Sequence, residues 1–216
     1  ACSHFGGVRF FLLVASCDVV YGTVLPFNNI AGALLIEKFV CHGACCDSSA
    51  FAIHNSTQQQ CPKAIAAEAQ ASYVMGIPFL VSAFLTPVVG LLADRFGGAA
   101  TMTLAAPVVL CGVHTILLAT SAMPIIPLVA QGIAYSMYAA ALWPLIGRAV
   151  QVADAGTAYG LATAVQNLGL ATIPVIVASL RTMAGNYTAV EWLFLGFSFA
   201  GVLLGIALLV VDGSYY

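Results

Sequence analysis

The hydrophobic positions of this chain fuse into six long apolar runs, rather than alternating with polar ones as in a soluble amphipathic helix. The runs cover 10–36, 71–93, 100–119, 124–150, 157–180 and 190–211. At a rise of 1.5 Å per residue, roughly 20 mostly apolar residues cross about 30 Å of hydrocarbon, and each run reaches that length. The pattern predicts six transmembrane helices. Barrel strands are about 10 residues long and alternate with period two, which these runs do not. Links after the second to fifth runs are short, as antiparallel neighbours require. The segment 37–70 is long and polar, so the expected organisation is one six-helix bundle over 1–216 with a cysteine-bearing loop at 40–70 between the first two helices.

Composition agrees with an all-α membrane protein. The chain is 62% hydrophobic and 6% charged, whereas a soluble domain carries about 25% charged residues. No Lys/Arg cluster is present to follow a phosphate backbone, which argues against a nucleic-acid partner; the direct partner implied is membrane lipid. The chain opens on Ala1, and its first apolar run exceeds the roughly 7 to 15 residues of a signal-peptide core. Further sequence upstream of residue 1 is therefore expected.

Counting crossings places 37–70 and 181–189 on one side of the bilayer, with Arg95 and the 148–156 turn on the other. Basic residues do not orient the bundle, because Lys38, Lys63 and Arg181 balance Arg9, Arg95 and Arg148. Cysteines and sequons do. Cys41, Cys45, Cys46 and Cys61 share the first loop with Asn55-Ser-Thr57, and the second sequon, Asn186-Tyr-Thr188, falls on the same side. Four cysteines within a short loop predict two disulfides in an oxidising lumen or exterior, with three possible connectivities. A zinc site with His42 and His54, or free thiols, are the competing readings; the zinc reading lacks paired C-x-x-C units. Asn55 is the better glycosylation candidate, since Asn186 lies at the expected membrane edge. Cys2, Cys17 and Cys111 read as small hydrophobes.

Between the second and third runs lies Gly90-Leu-Leu-Ala-Asp-Arg-Phe-Gly-Gly98. The chain must reverse there in a few residues, which accounts for Gly97-Gly98. An acid at a helix end can accept hydrogen bonds from a neighbouring helix N-terminus, and an Arg can pair across the gap. This stretch resembles the loop signature of the major facilitator superfamily, with matches at Gly90, Asp94, Arg95 and Gly97. In that family the acid and base help to lock the cytoplasmic side while the transporter is open outward. The basic residues that often follow are replaced here by Gly98, Ala99 and Ala100. Further stretches, LPFNNIAGALLIEKF (25–39), ALWP (141–144), GTAYG (156–160) and QNLGLA (166–171), are similar to the C-terminal six-helix half of the family's lysosomal dipeptide uniporters. The resemblance implies one half of a solute carrier working by alternating access, a small solute such as a dipeptide, a lysosomal or other endomembrane location, and an accessory glycoprotein.

Polar side chains inside the runs are unevenly spread. A charge near the bilayer centre costs about 2.5 to 3.5 kcal/mol, so such residues tend to mark cavities. The first run spaces Asp18, Tyr21, Leu25, Asn28 and Gly32 along one helical face; the second offers Ser82 and Thr86. The fourth holds Gln131, Tyr135 and Tyr138, followed by Trp143 and Pro144, and the fifth Tyr159, Thr163, Gln166 and Asn167. The third and sixth are almost wholly apolar, with His114 and Ser198 as the main exceptions. By resemblance, the first, second, fourth and fifth helices of a half border the cavity while the third and sixth face outward. The expected substrate contacts are Tyr21, Asn28, Tyr135, Tyr138, Trp143, Gln166 and Asn167. Asp18, about 14 Å along the helix from Arg9, is a candidate proton or charge site, and His114 reads as a satisfied packing residue. Isolated Ser and Thr can instead bond to their own helix, and Asn28 or Asn167 can be interhelical glue.

A single six-helix bundle encloses no mid-membrane site, so the transporter reading requires a second half, in the same longer chain or another one. The rival is a non-transporting structural subunit of a larger membrane assembly. An intramembrane serine protease is a poor fit, because Gly196-Phe-Ser-Phe199 lacks the second glycine and only His114 lies within a span. No phosphate-cradling loop, metal-ligand pair or cofactor motif is present in the sequence. The chain is read as no enzyme.

Overall fold

A computed structural model describes residues 7–36, 62–120 and 124–213. Its elements are α1 (Gly7–Leu35), α2 (Pro62–Phe96), α3 (Ala99–Ala119), α4 (Ile125–Arg148), a single 3-10 turn (Val152–Asp154), α5 (Ala155–Ala184) and α6 (Thr188–Gly213). All six helices contain a stretch long and apolar enough to cross a membrane. The fold is the expected all-α bundle. One boundary differs: α2 begins at Pro62, inside the segment expected as loop. Proline suits the first helical position, where its missing N–H is not needed, and the following Lys-Ala-Ile-Ala-Ala-Glu-Ala-Gln is built from strong helix formers. Hydrophobicity alone cannot register that signal. Cys41, Cys45, Cys46, Cys61 and Asn55 lie outside the described residues, and with them the disulfide, zinc and glycosylation readings.

The turn between α2 and α3 forms as expected. Gly97 and Gly98 have φ of 74° and 83°, a left-handed conformation that costs other residues roughly 1 to 2 kcal/mol. Gly97 N donates to Ala93 O at 2.9 Å and Met102 N to Gly98 O at 3.0 Å, so one helix ends and the next starts within the glycine pair.

Packing is ordered by a pseudo-two-fold relation. The extensive contacts join α2 with α4, α3 with α4, α3 with α6, α1 with α6 and α1 with α5. Exchanging α1 with α4, α2 with α5 and α3 with α6 maps this set onto itself, the pattern of an inverted three-plus-three repeat. Glycines permit the closest approaches: a Cβ at Gly205 on α6 would stand 2.9 Å from Leu104 Cα on α3, and one at Gly132 on α4 would stand 2.8 Å from Pro78 O on α2. With no hydrophobic drive between helices in lipid, such close backbone contact supplies much of the association.

Thus α3 and α6 pack on each other behind α1 and α4, and α2 and α5 flank them. Helix α1 is the most enclosed; α2 and α5 bury only narrow stripes, Ala71, Pro78, Ser82, Val89 and Ala93 on α2 and Ala158, Ala162, Gly169, Ile173 and Val177 on α5. Apolar side chains fill two core clusters, one around Phe10, Cys17, Leu110 and Leu142, the other around Phe27, Leu34, Leu117, Leu128 and Phe194. Cys17 and Cys111 are free thiols, Cys17 being buried.

Candidate functional site: the face between α1, α4 and α5

Because α3 and α6 cover the back of α1 and α4, aromatic and amide side chains of these two helices meet one another. Four aromatic residues converge. Tyr21 on α1 contacts Tyr135 edge-on at 5.8 Å between ring centroids, Tyr138 at 5.6 Å and Trp143 at 6.4 Å. Trp143 Nε1 donates to the Tyr21 hydroxyl at 3.2 Å, and Tyr159 of α5 donates its hydroxyl to the Trp143 carbonyl at 3.2 Å. Tyr159 also lies 6.2 Å from the indole, so the wall runs from α1 through α4 to α5.

Within this wall the layers differ in access. Tyr138 is fully buried, its hydroxyl 2.7 Å from Ser16 Oγ, and stands behind Tyr21 as support. Tyr135 and Trp143 are half-buried and Tyr159 is exposed at the edge. The hydroxyl of Tyr135 has no side-chain hydrogen bond among the described residues. Higher on the same two helices, Gln131 Nε2 donates to Asn28 Oδ1 at 3.1 Å, both residues being buried, which makes Asn28 a link between α1 and α4. Gln131 Oε1 is left without a donor.

The fifth helix contributes less contact than the sequence expects. Gln166 is half-buried and Asn167 exposed; neither side chain is hydrogen-bonded among the described residues, and neither joins the aromatic wall. Asp18 lies between α1 and α5, so near Gly169 that a Cβ there would collide with its Oδ1. That oxygen is buried and has no donor. Many span Ser and Thr hydroxyls serve their own helices, as Ser82 donates to Phe79 O at 2.9 Å and Ser198 to Phe194 O at 2.8 Å.

The loop-signature residues sit at one end of the bundle. Asp94 Oδ1 is 3.9 Å from Arg148 Nη2 at the end of α4, with both side chains largely exposed. Arg95 lies over the Phe96 ring, 5.5 Å from its centroid. Gly90 is in α2 with open space around it. At the same end Arg9 Nε meets Asp212 Oδ1 at 2.9 Å, tying the start of α1 to the end of α6. Arg148 and Asp212 were not among the expected site residues, although their side of the bilayer follows from counting crossings.

Near the opposite end the structure holds a second unanticipated pair. His114 Nδ1 and Glu191 Oε2 are 2.8 Å apart between α3 and α6, both buried, with the imidazole stacked on Phe194 at 5.5 Å and edge-on to Phe27 at 5.3 Å. Glu191 opens the last apolar run and His114 nearly closes the third, so both lie at one depth. Topology carried that signal and composition hid it. Among the described residues no three His, Cys, Asp or Glu side chains gather as metal ligands.

Residues 11–215 match the profile of the Major Facilitator Superfamily. The chain is similar to the lysosomal dipeptide transporter MFSD1 of Bos taurus, at 33% identity over 184 residues, 85% of this chain and 34% of that protein. For the Gallus gallus protein the identity is 30% over 174 residues, 81% and 34% of the two chains, and for Danio rerio 27% over 209 residues, 97% and 39%. The chain spans somewhat over a third of the length of these relatives. Six apolar helices in two interlocked threes, the turn signature at 90–98 and the profile match agree: the chain belongs to the major facilitator superfamily, as a six-helix half of its transporter fold.

Proposed function

We propose that this bundle is one half of a solute carrier that moves a small solute, a dipeptide in the first instance, by alternating access in a lysosomal or related endomembrane. The carrying observation is the wall of half-buried Tyr135 and Trp143 and exposed Tyr159, backed by buried Tyr21. Aromatic bodies with polar tips suit a peptide, whose backbone and side chains offer both kinds of surface. A second six-helix half, in the same or another chain, closes the cleft; Gln166 and Asn167, unbonded on α5, are then available to the solute. The Asp94–Arg148 contact joins α2 to α4 at one mouth of that cleft and serves as a latch. Relatives named as dipeptide transporters support the substrate class.

The test is counterflow in proteoliposomes of the full-length protein. Preloaded unlabelled dipeptide is expected to drive uptake of labelled dipeptide, with His- and Lys-containing dipeptides competing. Absence of competition removes the dipeptide assignment. A front face found sealed by a foreign subunit in the native particle replaces transport with a scaffolding role.

A further inference from the structure

Asp18, within α1, is an acid that meets no partner among the described residues. Arg9, Asp94, Arg148 and Asp212 pair at one end of the bundle, and Glu191 pairs with His114. Asp18 Oδ1 is buried without a donor, and no hydrogen bond or ion pair reaches this side chain from the described residues. An isolated carboxylate removed from water is costly unless a cation or donors meet it. Oδ1 is packed against α5, so a donor from outside the bundle can reach only Oδ2. On α5 the facing residue is Gly169, where any side chain would displace the carboxylate. One helical turn before Gly169, on the same face of α5, stands Gln166, half-buried and unbonded; one turn after Asp18 on α1 stands Tyr21, the centre of the aromatic wall.

We propose that Asp18, with Gln166 beside it, forms the subsite for a substituted ammonium group of the transported solute, the free amino terminus if the solute is a dipeptide. This rests on the transport reading above and adds the end of the molecule that is read. An ammonium offers three N–H donors. Asp18 Oδ2 and the Gln166 carbonyl supply acceptors for two of them, and the charge meets a fixed opposite charge where water is scarce. Tyr21 and Trp143, in contact one turn along, place the rest of the solute against the aromatic wall.

The experiment is competition in counterflow with the full-length protein, using alanyl-alanine and N-acetyl-alanyl-alanine, in which an uncharged acetamide replaces that ammonium. Wild-type protein is expected to bind the acetylated peptide at least about tenfold more weakly, as for loss of a charged hydrogen bond. Asp18→Asn, nearly isosteric, should weaken alanyl-alanine to that level and leave the acetylated peptide unchanged within about twofold. Asp18→Glu should restore a preference for the free amine. Equal competition by the two peptides on wild-type protein overturns the proposal without any variant. So does an undiminished preference in folded Asp18→Asn, which makes Asp18 a partner of the second half or a proton carrier. Failure of wild-type protein to exchange either peptide strikes the dipeptide reading itself, and this assignment falls with it.

Discussion

The back of the bundle and its front treat polar groups in opposite ways. Between α3 and α6, His114 and Glu191 are sealed among Phe27 and Phe194 and bond to each other. Between α1, α4 and α5, Asp18, Tyr135, Gln166 and Asn167 are left partly open and unbonded among the described residues, beside a wall whose buried members, Tyr21 and Tyr138, are held by Trp143 and Ser16. Both regions place hydrogen-bonding groups at membrane depth, where an unmet donor or acceptor is expensive. The back answers that cost in part inside one chain, through the His114–Glu191 contact, while His114 Nε2 and Glu191 Oε1 stay without a partner among the described residues. The front leaves it unanswered, as a surface made for something outside the bundle must.

Breaking the back should have the largest effect on stability. Glu191→Ala or His114→Ala leaves a buried partner alone and is expected to destabilise the full-length protein by about 3 to 5 kcal/mol, read as a lowered thermal transition in detergent. Replacing both, His114→Phe with Glu191→Leu, should recover most of that loss and keep transport. If the double variant is as unstable as the singles, the pair is not the element that closes the back.

Smaller effects follow toward the front. Asn28→Ala removes the acceptor of buried Gln131 and should cost about 1 to 3 kcal/mol in the same measurement. Asp94→Asn breaks a largely exposed contact, worth at most about 1 kcal/mol. Its expected signature is kinetic: a changed rate of opening at that mouth, reported by the accessibility of cysteines introduced there, with the thermal transition nearly unmoved. Least of all in stability is Tyr135→Phe, within about 0.5 kcal/mol because its hydroxyl is unbonded, yet counterflow should fall several-fold. A Tyr135→Phe protein that transports normally would move the substrate away from this wall.

Several features could be read from residues in order. The lengths of the apolar runs predicted α1 to α6, because the thickness of a bilayer is a constraint every crossing helix meets alone. Gly97-Gly98 predicted the reversal for the same local reason, the backbone angles only glycine adopts cheaply. The uneven scatter of polar side chains singled out α1, α2, α4 and α5, although on α2 Ser82 bonds to its own helix. It overlooked Glu191, because one acid at the start of a highly apolar run does not alter the run's average, and it overlooked the start of α2 at Pro62, because helix propensity is not hydrophobicity.

Which polar groups face each other is a separate matter. That Asn28 joins Gln131, that Tyr138 turns inward to Ser16 while Tyr135 stays half-open, and that Asp94 meets Arg148 depend on helix rotation and on the depth at which neighbours cross. By itself the sequence determined the crossings and the turns, since each is set by a few consecutive residues and the solvent around them. Only the tertiary structure decided that His114 and Glu191 close on each other and that Asp18 meets no hydrogen-bond partner among the described residues, because a bonding partner is chosen by packing between helices distant in the chain.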